Sequence, residues 1–569
     1  MKRLMVLAMA VALSAVACGD DDPSGPAITP PTLTAASPSQ GTVGTEVRID
    51  GTGFVAGASV WFNQLPSSSV DLENGALFAL APSGITEGTS YDLIVANPDG
   101  GADTLLAAFT AVGPEASRVN GVSKPTGLQG MTIIIEGSGF GDAVALSGGK
   151  VWFTTTTGTD IEAVVTDSAN DWTDGFIVTS VPTGVTDTSF LWVQTVTGVS
   201  DSIEFRLIQS GTFSPSTINW SQTTALPQGL QGLGAVFVPV EEGSTPANYV
   251  FAVGGADTLL AATDVVYRAT VQASGGLGGV WTPLAGLPAP RAYHATAAAT
   301  GYTAALDTTT TAAYIYVIGG VDADSAVVAT VFVGHVNLAG DVTGWSATQP
   351  LPQPLHSAGA VLFRGFLYVA GGTGTDSAAV AKVYRAPVAA DGSLGAWEDL
   401  AAALPVATSH HSFLNFGPFL YVVGGDSATA AAPELATNTG GELANVYRTR
   451  VNLRTGGLSE AWDSTTWMGK GRSKHSTVFA GGDLFATSGV YSGQAGSSEN
   501  IYGSVASDGS VDAWNGATGS NTIGSLLGYH LYNQAAVAFI DAAGEGHVMV
   551  IGGAKRGAAG QPSAAVVYY

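Results

Sequence analysis

The chain has 569 residues, too many for one hydrophobic core, so several domains are expected. Charged residues make up 11% of it and 76 residues are glycine, a composition that favours many short strands and tight turns. With 20 Lys plus Arg against 45 Asp plus Glu, the net charge of −25 excludes a nucleic-acid role, and the single cysteine, Cys18, excludes an intrachain disulfide or a cysteine-held metal.

Met1 to Ala17 has the layout of a bacterial export signal, with Lys2 and Arg3, an apolar run from Leu4 to Val16, and small residues after it. That run is too short to span a bilayer. Ala15-Val16-Ala17-Cys18 resembles a lipoprotein signal over residues 1–18, which implies that Cys18 is lipidated and becomes the first mature residue. The same three residues also satisfy the rule for ordinary signal cleavage, which would leave a secreted or periplasmic protein. Residues 19–29, beginning Gly19-Asp20-Asp21-Asp22-Pro23, read as a polar tether without packing capacity.

Two homologous units follow, at residues 30–113 and 114–208, related by an offset of 86 residues. Gly41, Gly44, Gly51 and Gly53 return as Gly127, Gly130, Gly137 and Gly139. Val47 and Ile49, and then Ile133 and Ile135, alternate with polar residues in the period of a half-buried strand. Val60-Trp61-Phe62 returns as Val151-Trp152-Phe153, and Leu93-Ile94-Val95 as Leu191-Trp192-Val193. Each unit has room for six or seven short strands, as an immunoglobulin-like sandwich requires. The glycine spacing around Gly51-Thr52-Gly53-Phe54 and Gly137-Ser138-Gly139-Phe140 resembles the IPT/TIG family of immunoglobulin-like domains. The resemblance implies spacers or adhesive modules without a catalytic constellation. Trp61, Trp152 and Trp192 are expected in the cores.

From residue 212 to 569 an apolar run ending in glycines recurs: Tyr249 to Gly255, Tyr314 to Gly320, Phe366 to Gly372, Phe419 to Gly425, the degenerate Leu484 to Gly489, and Val548 to Gly553. Such runs read as strands buried on both faces, with Gly-Gly as a tight exit. A Val/Ile-Tyr pair follows most of them (Val266-Tyr267, Val383-Tyr384, Val446-Tyr447, Ile501-Tyr502, Val567-Tyr568), then a hairpin turn, then Trp281, Trp345, Trp397, Trp462 or Trp514. This order of apolar strand, Gly-Gly, Tyr and Trp resembles the Kelch repeat and implies four antiparallel strands per unit. Six such units imply an all-β, six-bladed β-propeller. The sixth unit ends at Tyr569 without a tryptophan, while Trp220 stands alone at the front. Its strand is expected to complete the last blade and remove an exposed edge.

His294, His356, His410 or His411, His475 and His530 each fall near the start of an innermost strand, where a ring of imidazoles could bind metal. Repeat packing is the simpler reading, because Leu233 fills the same slot in the first unit. Asp257, Asp322, Asp324, Asp376 and Asp426 follow the glycine pairs and read either as a calcium rim or as turns capping their own backbone. Asp391 and Asp508 approach the spacing of a sialidase box but sit six residues before their tryptophans, and are read as hairpin residues. No catalytic, cofactor-binding or metal residue is assigned, and no cofactor is expected. The expectation is an envelope lipoprotein at the outer membrane or cell surface, touching the membrane only through its lipid. Its propeller would recognise a protein or glycan without enzymatic activity. The competing reading is a carbohydrate-acting oxidase or hydrolase, which convergent Tyr, His and carboxylate side chains at one mouth of the channel would favour.

Overall fold

The computed structural model describes residues 30–569 apart from 42, 74, 87, 112–117, 123–125, 128–129, 131, 142–148, 166–170, 187, 196–197, 208–213, 241–246, 301–309, 428–440, 454, 492–498, 507, 517–521, 541–544 and 557–559. Cys18 and the tether lie outside the described residues. The fold is all-β, with helical structure confined to short pieces such as Pro215–Thr217 and Ile523–Leu527. No helix among the described residues is long and apolar enough to cross a membrane.

The chain divides into two compact units, Met1–Gly113 and Pro114–Tyr569. In the first, Thr32–Ser37, Glu46–Thr52, Ala76–Leu80 and Val70–Glu73 form one sheet, and Gln40–Gly41, Ala102–Ala111, Ser90–Ala96, Ser59–Phe62 and Leu65–Pro66 the other. Val47, Ile49, Phe62, Leu93, Val95 and Phe109 fill the space within this unit, and Phe62 meets Phe109 edge-on at 5.2 Å.

The second unit begins with a similar pair of sheets, Arg118–Val122 to Phe176–Ser180 around Thr132–Ser138, and a five-stranded sheet containing Lys150–Thr155 and Thr188–Thr195. Here the tryptophans depart from expectation. Strand Lys150–Thr155 buries Val151, Phe153 and Thr155 and turns Trp152 to the opposite face, where it lies across from Trp192 with the rings stacked at 5.9 Å. Trp61 likewise alternates with the buried Val60 and Phe62. In a period-two strand a Val-Trp-Phe triplet can send only its outer members inward. Both indole N–H groups of the stacked pair are satisfied, Trp152 by Gln194 and Trp192 by Thr154.

Six four-stranded antiparallel sheets follow. The first is Gly234–Val240, Ala247–Val253, Val266–Val271 and Leu277–Pro283 in that order. The next four open with Ala295–Thr300, Gly359–Phe363, Ser412–Phe416 and Ser476–Ala480. The sixth holds Ala535–Ile540, Gly546–Ile551 and Val566–Tyr568, and its outer edge is filled by Ser221–Gln222, paired with Tyr568 and Val567. Each opening strand lies beside the next, and Ala535–Ile540 lies beside Gly234–Val240. Across that last contact Phe237 stacks on Phe539 at 4.8 Å.

Neighbouring sheets are joined by three recurring devices. Five tryptophans each donate the indole N–H to a carbonyl just beyond the preceding tryptophan: Trp281 to Thr224, Trp345 to Ala285, Trp397 to Gln349, Trp462 to Ala402 and Trp514 to Thr466, at 2.9 to 3.1 Å. Buried tyrosines of the glycine-terminated strands reach the hairpin of the following sheet, Tyr316 to the Gly392 carbonyl, Tyr368 to Gly456 and Tyr421 to Gly509. The arginine after the Val-Tyr pair lies over an aromatic ring of its own sheet and donates into the same neighbouring hairpin, as Arg268 does over Tyr249 and Arg385 over Phe366.

Antiparallel order puts the hairpins after the first and third strands of every sheet at one end. The second sandwich packs there. Ile134, Phe176 and Val178 share a core with Phe363, Tyr368 and Phe413, Arg364 lies over Phe176 and pairs with Glu136 at 2.9 Å, and Arg450 pairs with the buried Asp171. The opposite end carries the candidate site.

Candidate functional site

The glycine pairs set the local geometry. The first member of each has φ between +58° and +64° and the second between +93° and +107°, except that Ser488 takes the first place in the fifth sheet at +59° and Gly489 the second at +99°. Into this bend fits one residue per sheet: Leu233, His294, Ala358, His411, His475 and Gln534. A Cβ on the second glycine would fall 2.6 to 2.9 Å from the Cβ of that residue. The imidazoles of His294, His411 and His475 also press on the first glycine of the preceding sheet, as Leu233 presses on Gly552 of the sixth. Burial pushes His294 and His411 down to about 4 and His475 well below the usual imidazole range. His294 is held at Nε2 by the Val253 carbonyl and at Nδ1 by Thr296. These three histidines are neutral packing residues.

The six histidines do not, however, share one register along their strands as their spacing from the tryptophans suggests. His294, His411 and His475 share the slot, His356 stands two residues before it, His410 one before and His530 four before. Spacing from the tryptophans could not separate these registers, because the connecting loops differ in length.

Immediately before the slot lie Gly232, Tyr293, Ser357, His410, Lys474 and Asn533, with φ between +52° and +57°. Their backbones are linked in series. Tyr293 donates its N–H to the Gly232 carbonyl, Ser357 to Tyr293, His410 to Ser357, Lys474 to His410 and Asn533 to Lys474, and Gly232 donates to Asn533, all at 2.7 to 3.0 Å. The circle returns to its start. Hydrogen-bonded strand residues stand roughly 5.5 Å apart, so a hexagon of them is roughly 11 Å across. Five of its six residues are not glycine, in a chain with 76 glycines, at a φ where glycine alone is unstrained.

The side chains explain what the circle presents. Tyr293, His410, Lys474 and Asn533 are buried, while Ser357 and Gly232 retain partial exposure, so solvent reaches this end. The Tyr293 ring lies across Gly232, where a Cβ would fall 2.4 Å from it. His356 Nδ1 is 3.1 Å from Ser357 Oγ, and the His356 and His410 rings are 6.2 Å apart. His410 Nδ1 is 3.0 Å from Ser409 Oγ, and its Nε2 has no hydrogen-bond partner among the described residues. Burial, reinforced by the Lys474 ammonium, pushes His356 down to about 4 and His410 well below the ordinary range. Both imidazoles are neutral, beside a cation. Tyr293, Ser357, Lys474 and Asn533 carry no motif, and only alignment of the six segments on the slot would single them out.

The acidic residues do not assemble into a rim. Asp257 Oδ1 accepts from the Leu259 and Ala261 N–H groups, Asp322 Oδ1 from Asp324 and Ala326, and Asp376 Oδ1 from Ala378. Each caps its own turn. Asp426 differs in being buried, bridged through its backbone to Ser409 and Glu442. Asp391 and Asp508 cap their hairpins through Ser393 and Ser510. Among the described residues no three His, Cys, Asp or Glu side chains come together as a metal ion requires.

No family model matches the chain, and no curated protein matches it. Among solved structures, that of YjhT is similar at 13% identity and a TM-score of 0.42, covering 60% of this chain and 95% of that one.

Proposed function

We propose that this is an exported, non-enzymatic binding protein whose six sheets are the blades of a closed Kelch-like propeller and whose ligand, a glycan or a glycosylated protein surface, sits on the axial circle. The observation that carries the reading is the six-membered hydrogen-bonded circle, in which strained non-glycine residues place Tyr293, Ser357, His410, Lys474 and Asn533 around one partly exposed end. Strain of this kind persists where the surroundings over-determine it, and it clusters at ligand sites. Hydroxyl, amide, imidazole and ammonium groups side by side suit the dense hydroxyls of a sugar. The IPT-like sandwiches would serve as spacers between a lipid on Cys18 and the propeller.

Binding of the purified full chain to a glycan array, compared with His410→Ala, tests the site. Equal binding by the variant would sink this assignment. Cys18→Ser should shift the protein from the membrane fraction to the soluble fraction, and unchanged membrane association would overturn the lipid anchor.

The enzymatic alternative draws on the neutral His356 and His410 beside Lys474, because neutral imidazoles can move protons at physiological pH. No carboxylate stands on the circle to complete the paired acid and base of a glycoside hydrolase. Mass analysis of a bound oligosaccharide after prolonged incubation separates the two: an unchanged ligand supports binding, and a converted one supports the enzyme.

A further inference from the structure

Away from the axial circle, we infer that Leu259 and Leu260 are a docking anchor for a basic partner protein that carries an apolar pocket. They stand at the tip of the turn that follows the first glycine pair, at the end of the sheets that bears the circle, and are 84% and 47% exposed. The same turn is built in the next two sheets. Asp257, Asp322 and Gly374 each donate their N–H to the carbonyl four residues on and accept from the N–H three residues on, at 2.9 to 3.1 Å. Leu260, Ser325 and Ser377 hold the same left-handed φ of +61° to +62°. Residue for residue, Leu259-Leu260 stands where the second and third turns carry Asp324-Ser325 and Asp376-Ser377. The turn closes equally well on Asp-Ser, and neither leucine joins a hydrophobic core of the described residues, so the fold does not call for them. Left-handed backbone favours glycine or a short polar side chain over leucine. Two large apolar side chains held in water on such a backbone mark a contact with another molecule.

The neighbouring turns decide the kind of partner. The opening strands of the first three sheets lie beside one another in order, so their turns follow one another at this end. Asp322, Asp324 and Asp376 place carboxylates there, in a chain of net charge −25. These charges repel anionic lipid headgroups and the matching turns of a second copy, and they favour Lys and Arg around the pocket that receives the leucines.

Selection of a random-peptide display library on the full chain, and in parallel on Leu259→Asp/Leu260→Ser, tests this. That variant gives the first turn the residues of the second, whose backbone it already shares. Peptides enriched on the native chain should combine Lys or Arg with Leu, Ile, Phe or Trp. The synthesised best binder should lose at least about tenfold in affinity on the variant, as truncation of an interface anchor does. Its affinity for the native chain should also fall as salt rises. Enrichment of acidic peptides or of none, equal affinity for the two chains, or binding indifferent to salt overturns the inference. Sedimentation of the native chain but not the variant with phosphatidylcholine vesicles also overturns it, giving the leucines to a membrane. A native dimer that the variant lacks does the same, giving them to a second copy. The inference does not rest on the circle: glycan-array binding should be equal for the native chain and the variant, and its absence from both leaves the docking anchor standing.

Discussion

Buried imidazoles make this protein sensitive to mild acid in a way its carboxylates do not. An unfolded chain protonates its histidines near pH 6.5, whereas folded His294, His356 and His411 take their protons only near pH 4. Between those values the unfolded state binds more protons, so stability falls as the pH drops through 6.5 and the loss is complete near 4. At about 1.4 kcal/mol per pH unit, each histidine removes on the order of 3 kcal/mol, a large share of a typical margin of roughly 5–15 kcal/mol. The depressed carboxylates Asp103, Asp391 and Asp508 act below their ordinary value of 3.8, outside this window. Urea midpoints should therefore decline steadily from pH 7 to pH 4.5. His411→Leu, which puts in the fourth sheet the residue the first sheet carries at Leu233, should flatten that decline. An identical slope in the variant would show that the acid response originates elsewhere.

Sheets are held to one another by side chains that cross the gap, and the tyrosine bond is the cleanest to test. Tyr421 is fully buried and its hydroxyl donates to the Gly509 carbonyl of the next sheet at 2.8 Å, while burial raises its pKa to a level at which it stays protonated. Tyr421→Phe keeps the ring and strands the carbonyl, at a cost of about 1–2 kcal/mol. Guanidinium unfolding measures it, and a change within a few tenths of a kcal/mol would mean that water replaces the hydroxyl. The glycine-terminated strands that carry these tyrosines are legible in the sequence because the apolar run and Gly-Gly mark them directly; the reach of the tyrosine hydroxyl to the next hairpin is not. The arginines of Val-Tyr-Arg, which stack on Tyr249, Phe366 and Phe419, are not. Their role depends on a hairpin roughly 70 residues onward, at Ala339 for Arg268 and Thr455 for Arg385. The axial residues are illegible for a related reason: what unites Tyr293, Ser357, His410, Lys474 and Asn533 is a backbone angle, and five unlike side chains share it.

At the scale of the whole molecule, the count of tryptophans against repeat units points to a borrowed strand, and Ser221–Gln222 does pair with Val567 and Tyr568. The second sandwich is the feature that repeat counting misses. Expected as a spacer, it is fastened to the third and fourth sheets through Ile134, Phe176 and Val178, with Arg364 over Phe176 and Arg450 on Asp171. Arg364 and Arg450 sit beside hairpin turns and look, in sequence, like ordinary solvated residues. The shared core implies that the sandwich and the sheets unfold together. Arg450→Ala takes the guanidinium from an Asp171 side chain that is 6% exposed, and breaking a pair of that kind costs about 3–5 kcal/mol. Arg364→Ala adds the loss of a cation–π contact worth about 1 kcal/mol. Scanning calorimetry of the double variant should resolve an early transition for the sandwich, with that of the six sheets staying close to its native temperature. If the variant still melted residues 114–569 as one cooperative step, the apolar contacts of Ile134, Phe176 and Val178 would suffice to hold the junction, and the two ion pairs would serve only to orient it.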